Sequence, residues 1–332
     1  MVQTVAIADP SSNGEVAVQF LSESKAFNAL QFLGLIGSVL SLVTALFSSI
    51  PRQATWYNFF ISWIVFCISY LLLFFAGHAY GGEPELYLCI AQSSLTYAAS
   101  PFAASCCLAL VIQLYLNIQA TLNGKFIRGK RYMRIVLLIT PYIIFISVMI
   151  ESLAVNYGST LTLTETLIIP NSKMSFATNV KFSSVSYCSL ENHLPGRITA
   201  ALVIILIVPM LVLNLLIYLS FRKHRSFLQE GNYTSMFVRV SAFTLCGLIS
   251  VIVGLFFFLR AFIGGGDSNQ GLVELDIILA MAPVSAVVIF GTHKDLLNVW
   301  LFWRNQTPIA KKVENPVPPL SNVHIEYEVV IE

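Results

Sequence analysis

Seven stretches of the chain are apolar for long enough to be read as membrane helices. They run over Phe27–Ile50, Trp56–Gly77, Leu86–Gly124, Ile135–Ile150, Ile198–Phe221, Val240–Leu259 and Leu272–Thr292. A helix needs about 20 residues to cross the hydrocarbon core. The longest run predicts a helix that tilts or extends beyond the bilayer before Asn123-Gly124 stops it. The shortest extends to Val155. Length and periodicity favour helices over barrel strands, which alternate in pieces of about ten residues. Each helix also closes its own backbone hydrogen bonds, as hydrocarbon demands. The pattern predicts an all-α membrane protein, a seven-transmembrane helix bundle with a short amphipathic eighth helix. Its expected parts are an extracellular N-terminal segment (1–24), a helical domain (25–292), an interfacial helix (293–304) and a disordered cytoplasmic tail (305–332).

Composition agrees with that class. The chain is 56% hydrophobic and 11% charged, against about 25% charged in soluble domains. A net charge of +2 gives no reason to expect nucleic acid; the bilayer is the expected surroundings. Placement of charge is more informative. Arg52, the cluster Lys125–Arg134, Arg222, Lys223, Arg225, Arg239, Lys294, Arg304, Lys311 and Lys312 fall on one side, which holds 14 of the 19 basic residues. The positive-inside rule makes that side cytoplasmic. The expected location is the plasma membrane, multi-pass, with the N-terminus outside and the C-terminus in the cytoplasm. The opening residues lack a basic region followed by an apolar core, so span one is expected to serve as an uncleaved targeting signal. Asn232-Tyr-Thr and Asn305-Gln-Thr fall on the cytoplasmic side, where glycosylation does not occur.

Six cysteines are present. Cys67, Cys106, Cys107 and Cys246 fall inside spans, where a thiol serves as a small apolar residue. Cys89, at the outer end of span three, and Cys188, in the loop between spans four and five, face an oxidising compartment. They are expected to pair, the alternative being two free thiols. The bond would tie the loop over the bundle, at a gain of about 2–4 kcal/mol.

The segment "GTHKDLLNVWLFW" (291–303) is too short to span. Thr292 and Asp295 form a T-x-x-D capping box. Leu296, Leu297, Val299, Trp300, Leu301 and Trp303 then cover most of the circumference, with Lys294, Asp295 and Asn298 on the rest. That pattern predicts a helix lying in the membrane interface.

An outside N-terminus, seven helices, a cysteine atop helix three facing one in the second outer loop, the short basic third inner loop "RKHRSFLQEGNYTS" and the interfacial helix together resemble a G protein-coupled receptor. The ending "VVIFGTHKDLLNVWLFW" is similar to uncharacterised seven-helix receptor-like proteins of higher fungi. The rhodopsin-like activation motifs do not carry over. Helix three ends in "QLYLNIQ" rather than Asp/Glu-Arg-Tyr, and "MAPVSAVVIF" keeps only Pro283 of Asn-Pro-x-x-Tyr. The resemblance implies an extracellular ligand, a heterotrimeric G protein partner and no cofactor. Leu272–Thr292 contains no lysine to hold retinal.

For ligand binding, the sequence nominates Gln92, Thr96 and Tyr97 on the outer half of helix three, with Arg260, Glu274 and Asp276 near the outer ends of helices six and seven. Polar groups at that depth need partners. The G protein-facing candidates are Asn117, Arg128, Arg222, Lys223, Arg225, Arg239 and Lys294, although the positive-inside rule alone accounts for their charge. A seven-helix transporter or channel is the alternative reading. It is disfavoured because the spans show no internal repeat and lack ionisable residues at mid-membrane. An enzyme is not expected, since all five histidines lie in loops or at helix ends.

Overall fold

The computed structural model describes residues 10–47, 52–78, 84–123, 130–166, 180–182, 187–190, 194–223, 233–264 and 268–291. The described residues form seven α-helices. They are α1 (Pro10–Phe47), α2 (Ala54–Phe75), α3 (Leu86–Asn123), α4 (Lys130–Thr166), α5 (Leu194–Lys223), α6 (Tyr233–Gly264) and α7 (Ser268–Ala286). α7 continues into a π-helical turn, Val287–Gly291. A hairpin of β1 (Val180–Phe182) and β2 (Cys188–Leu190) lies between α4 and α5, pairing Phe182 with Cys188 and Val180 with Leu190. The expected interfacial helix, 293–304, and the tail lie outside the described residues, as do Arg128, Arg225 and Lys294.

Five helical stretches are long and apolar enough to cross a membrane: Ser22–Phe47, Ala54–Phe75, Leu86–Ala120, Tyr132–Val155 and Leu194–Lys223. The chain is thus a multi-pass membrane protein. α6 and α7 add the shorter apolar stretches Ser235–Ile249 and Asp276–Gly291. The outer surface fits this setting. Ile135, Ile139, Ile143, Ile146 and Ile150 form an exposed stripe on α4, and Ile204, Ile205, Val208, Val212, Leu215 and Leu219 do the same on α5. Surfaces this apolar do not face water in a soluble monomer.

The helices extend beyond the apolar runs that mark them. α1 begins at Pro10, well before Phe27, and α4 reaches Thr166. α2 stops where its sequence changes. Gly77 takes φ +80°, His78 N–H donates to the Leu73 carbonyl at 2.9 Å, and Gly77 N–H to that of Phe74 at 3.0 Å. This is a Schellman cap, and glycine adopts its left-handed residue without strain.

α3 is the central post, packed on α2, α4 and α5, while α7 closes the ring against α1 and α6. α1 and α7 run parallel and very close. A Cβ placed on Gly34 would lie 2.7 Å from Pro283 Cβ, and one on Gly37 would lie 2.6 Å from Val287 Cγ1. Glycine there lets the backbones approach, the usual means of packing membrane helices. Toward the end that carries Arg52 and Arg239 the interior is aromatic: Phe59 lies 4.8 Å from Phe290 and 5.4 Å from Phe243, ring centre to ring centre, and Trp63 lies 5.9 Å from Phe243. Edge-to-face pairs of this kind add stability beyond the area they bury.

Candidate functional site

The hairpin is pinned to the bundle by a disulfide between Cys89, near the start of α3, and Cys188 of β2, with Cα atoms 5.3 Å apart. Beneath it lies Gln92, fully buried. Its Oε1 accepts from the Cys188 backbone N–H at 3.0 Å. Its Nε2 donates to the carbonyls of Tyr70 (3.1 Å) and Ser69 (3.3 Å). One side chain therefore joins hairpin, α3 and α2, with both its donors and its carbonyl engaged within the chain. Thr96 Oγ1 donates to the Ser93 carbonyl of its own helix at 2.9 Å.

The residue before Cys188 turns into the bundle. Tyr187 meets Tyr70 edge-on at 5.2 Å and stacks on Phe27 at 6.0 Å, and Phe27 touches Tyr70 at 5.7 Å. The Tyr187 hydroxyl donates to Asp276 Oδ1 at 2.7 Å. Burial, reinforced by the Asp276 carboxylate, pushes the Tyr187 phenol well above its usual value. It therefore stays a neutral hydrogen-bond donor to Asp276. Tyr97 is half-buried within electrostatic reach of Tyr70 and Tyr187. Its carbonyl accepts from Thr199 Oγ1 of α5 at 3.1 Å.

Of the six residues nominated for ligand contact, Asp276 bonds Tyr187, and Tyr97 lies within electrostatic reach of Tyr70 and Tyr187. Gln92 sits behind them as a strut for the hairpin, and Thr96 bonds along its own helix. Arg260 and Glu274 belong to α6 and α7, and their side chains lie outside the described ones.

Sequence reasoning missed Phe27, Tyr70, Tyr187 and Gln31. Gln31 is fully buried, and neither its Oε1 nor its Nε2 has a hydrogen-bond partner among the described residues. The available signals were Tyr187 standing directly before Cys188, and a glutamine inside the uncharged run Phe27–Ile50.

At the opposite end, a guanidinium nitrogen of Arg239 donates to the Ile289 carbonyl. The π turn explains the acceptor: a break in the regular ladder leaves carbonyls for outside donors. Arg52 lies 5.6 Å over the Trp56 ring. Arg222 and Lys223 are exposed at the end of α5, and Asn117 is half-buried on α3. Asn214 clamps α5 to α6, donating to Thr244 Oγ1 at 3.2 Å and accepting from Ser241 at 3.1 Å.

In comparison with known proteins, the chain matches no protein-family model and no curated protein.

Proposed function

We propose that the protein is a cell-surface receptor of the G protein-coupled type, with seven membrane-spanning helices. It binds an extracellular ligand in the hairpin half of the bundle and signals to a heterotrimeric G protein at the other end. The N-terminus is outside the plasma membrane and the C-terminus is cytoplasmic. The observation that carries this reading is the disulfide-held hairpin, which places Tyr187 on Asp276 at the hairpin mouth of the bundle. A loop so anchored over a polar, aromatic-lined interior suits ligand recognition.

The rest of the bundle supports the same division. Phe59, Trp63, Phe243 and Phe290 pack the interior toward the Arg239 end with buried rings, where a solute carrier would need a polar path. α6 packs on α5 and α7 alongside the five longer spans, which supports seven crossings. Prolines within helices, Pro101, Pro141, Pro209 and Pro283, give places to flex. Arg239 to Ile289 is a contact between α6 and α7 at the proposed cytoplasmic end, the end at which α5 also finishes in Arg222 and Lys223. It is the kind of link that signal-dependent movement would break.

Ligand contact is assigned to Asp276 and Tyr97, and Arg260 and Glu274 remain candidates; Gln92 and Thr96 shape the wall. The test is a cell-based G protein activation screen with amines, acids, lipids and peptides. An active compound should lose potency in Asp276→Ala and Tyr97→Ala at normal surface expression. Unchanged potency in both would remove this site.

A further inference from the structure

The face that α1 turns to α7 carries a polar residue with nothing to bond. Phe27, Gln31, Gly34 and Ser41 are all buried and recur at helical spacing. α7 answers with Asp276, Ala280 and Pro283, buried at the same spacing, followed by Val287. The contacts of Gly34 with Pro283 and of Gly37 with Val287 set the register. Gln31 therefore lies level with Ala280, about 6 Å, or one turn, below Phe27 and Asp276. Helical side chains lean toward the N-terminus, so the Gln31 side chain leans toward the level of Phe27 and Asp276. It is 0% exposed, and both ends of its carboxamide lack a partner among the described residues. The large majority of buried side-chain polar atoms are paired.

We infer that Gln31 and Asp276 form a two-point binding site for a small organic cation that carries a hydroxyl or carbonyl group. The inference rests on the receptor reading and names the ligand class of its site. Tyr187 takes one carboxylate oxygen of Asp276, and an ammonium group pairs with the other. Tyr187, which holds Asp276, packs with Phe27 and Tyr70 in one aromatic cluster, and aromatic faces attract cations. An acid would instead meet Asp276 as a like charge, where low dielectric makes repulsion severe. The ligand's polar group then reaches Gln31, which offers both a donor and an acceptor. The separation of about one helical turn selects the spacing between the two ligand groups.

The test uses the purified full chain in nanodiscs without G protein, and three probes: tyramine, 2-phenylethylamine, which lacks the hydroxyl, and 4-hydroxyphenylacetate, which inverts the charge. Calorimetry should show saturable tyramine binding, binding of 2-phenylethylamine about tenfold weaker, and none of the acid. Asp276→Asn should lose tyramine. Gln31→Leu should erase the tenfold preference while its ligand-free Tm stays equal or rises, because an unpaired buried amide has been removed. The site is overturned by no saturable tyramine binding, by equal binding of the acid, by a retained preference in Gln31→Leu, or by a lowered ligand-free Tm in that variant. Tyramine binding without any nucleotide-exchange response would remove the receptor reading and leave the site standing. Exchange driven by a ligand whose potency Gln31→Leu leaves unchanged would do the reverse.

Discussion

Replacing Gly34 with alanine tests the closest approach in the bundle. The new Cβ would sit 2.7 Å from Pro283 Cβ, 2.9 Å from its Cγ and 3.3 Å from Cys67 Sγ. Carbon atoms prefer about 3.5–4.0 Å, so the gap is short by roughly 1 Å. A proline ring cannot swing aside as a flexible side chain could, so α1 or α7 must shift. Overpacking of this kind costs about 1–3 kcal/mol, and alanine returns up to about 1 kcal/mol through helix propensity. The expected net loss is about 1–2 kcal/mol. Gly247→Ala in α6 is the control, because among the described residues nothing lies within 4 Å of its added Cβ. There, propensity acts alone, for a gain of up to about 1 kcal/mol. Thermal unfolding of both variants in the same detergent should therefore move Tm in opposite directions. If Gly34→Ala is as stable as Gly247→Ala, α1 and α7 do not meet as described.

Gln92→Leu leaves the Cys188 N–H without its acceptor and should cost about 1–3 kcal/mol; thermal unfolding at or above the wild-type Tm would show that Gln92 is not a strut. Cys89→Ser frees the hairpin and should cost about 2–4 kcal/mol; separate alkylated Cys89 and Cys188 peptides in an unreduced digest of wild-type protein would refute the bond. Asn214→Leu removes the α5–α6 clamp and should cost about 0.6–2 kcal/mol, read in the same melt, with no change counting against the clamp. Arg239→Gln loses the charged contact with the Ile289 carbonyl; ligand-free nucleotide exchange should rise several-fold, and an unchanged basal rate would show that the contact does not hold the resting state.

The helices were legible because hydrocarbon leaves few alternatives: an uncharged run of sufficient length must be helical. The stop at Gly77 was legible too, since glycine is the residue a Schellman cap favours. Cys89 and Cys188 could be paired because topology left each a single partner outside the bundle. Helix ends such as Pro10 and Thr166 were not legible, because backbone bonding can continue past the apolar run that defines a span. The site was half legible. Asp276 and Tyr97 stood out as polar groups at depth. Gln92 stood out for the same reason but turned out to bond the hairpin and α2, a choice set by a contact with Cys188 far along the chain. Gln31 went unnoticed because the role of one amide in an apolar run depends on the register between α1 and α7, which hydrophobic pattern does not encode.

The central claim is that this bundle passes a signal rather than a solute. The direct measurement reconstitutes the purified chain in proteoliposomes and presents a heterotrimeric G protein at the face carrying Arg222, Lys223 and Arg239. GDP–GTP exchange on the G protein and entry of labelled solutes into the same vesicles are then followed together. The account predicts exchange accelerated above the rate of protein-free liposomes, with solute entry at the background rate. Background exchange accompanied by solute uptake would contradict it.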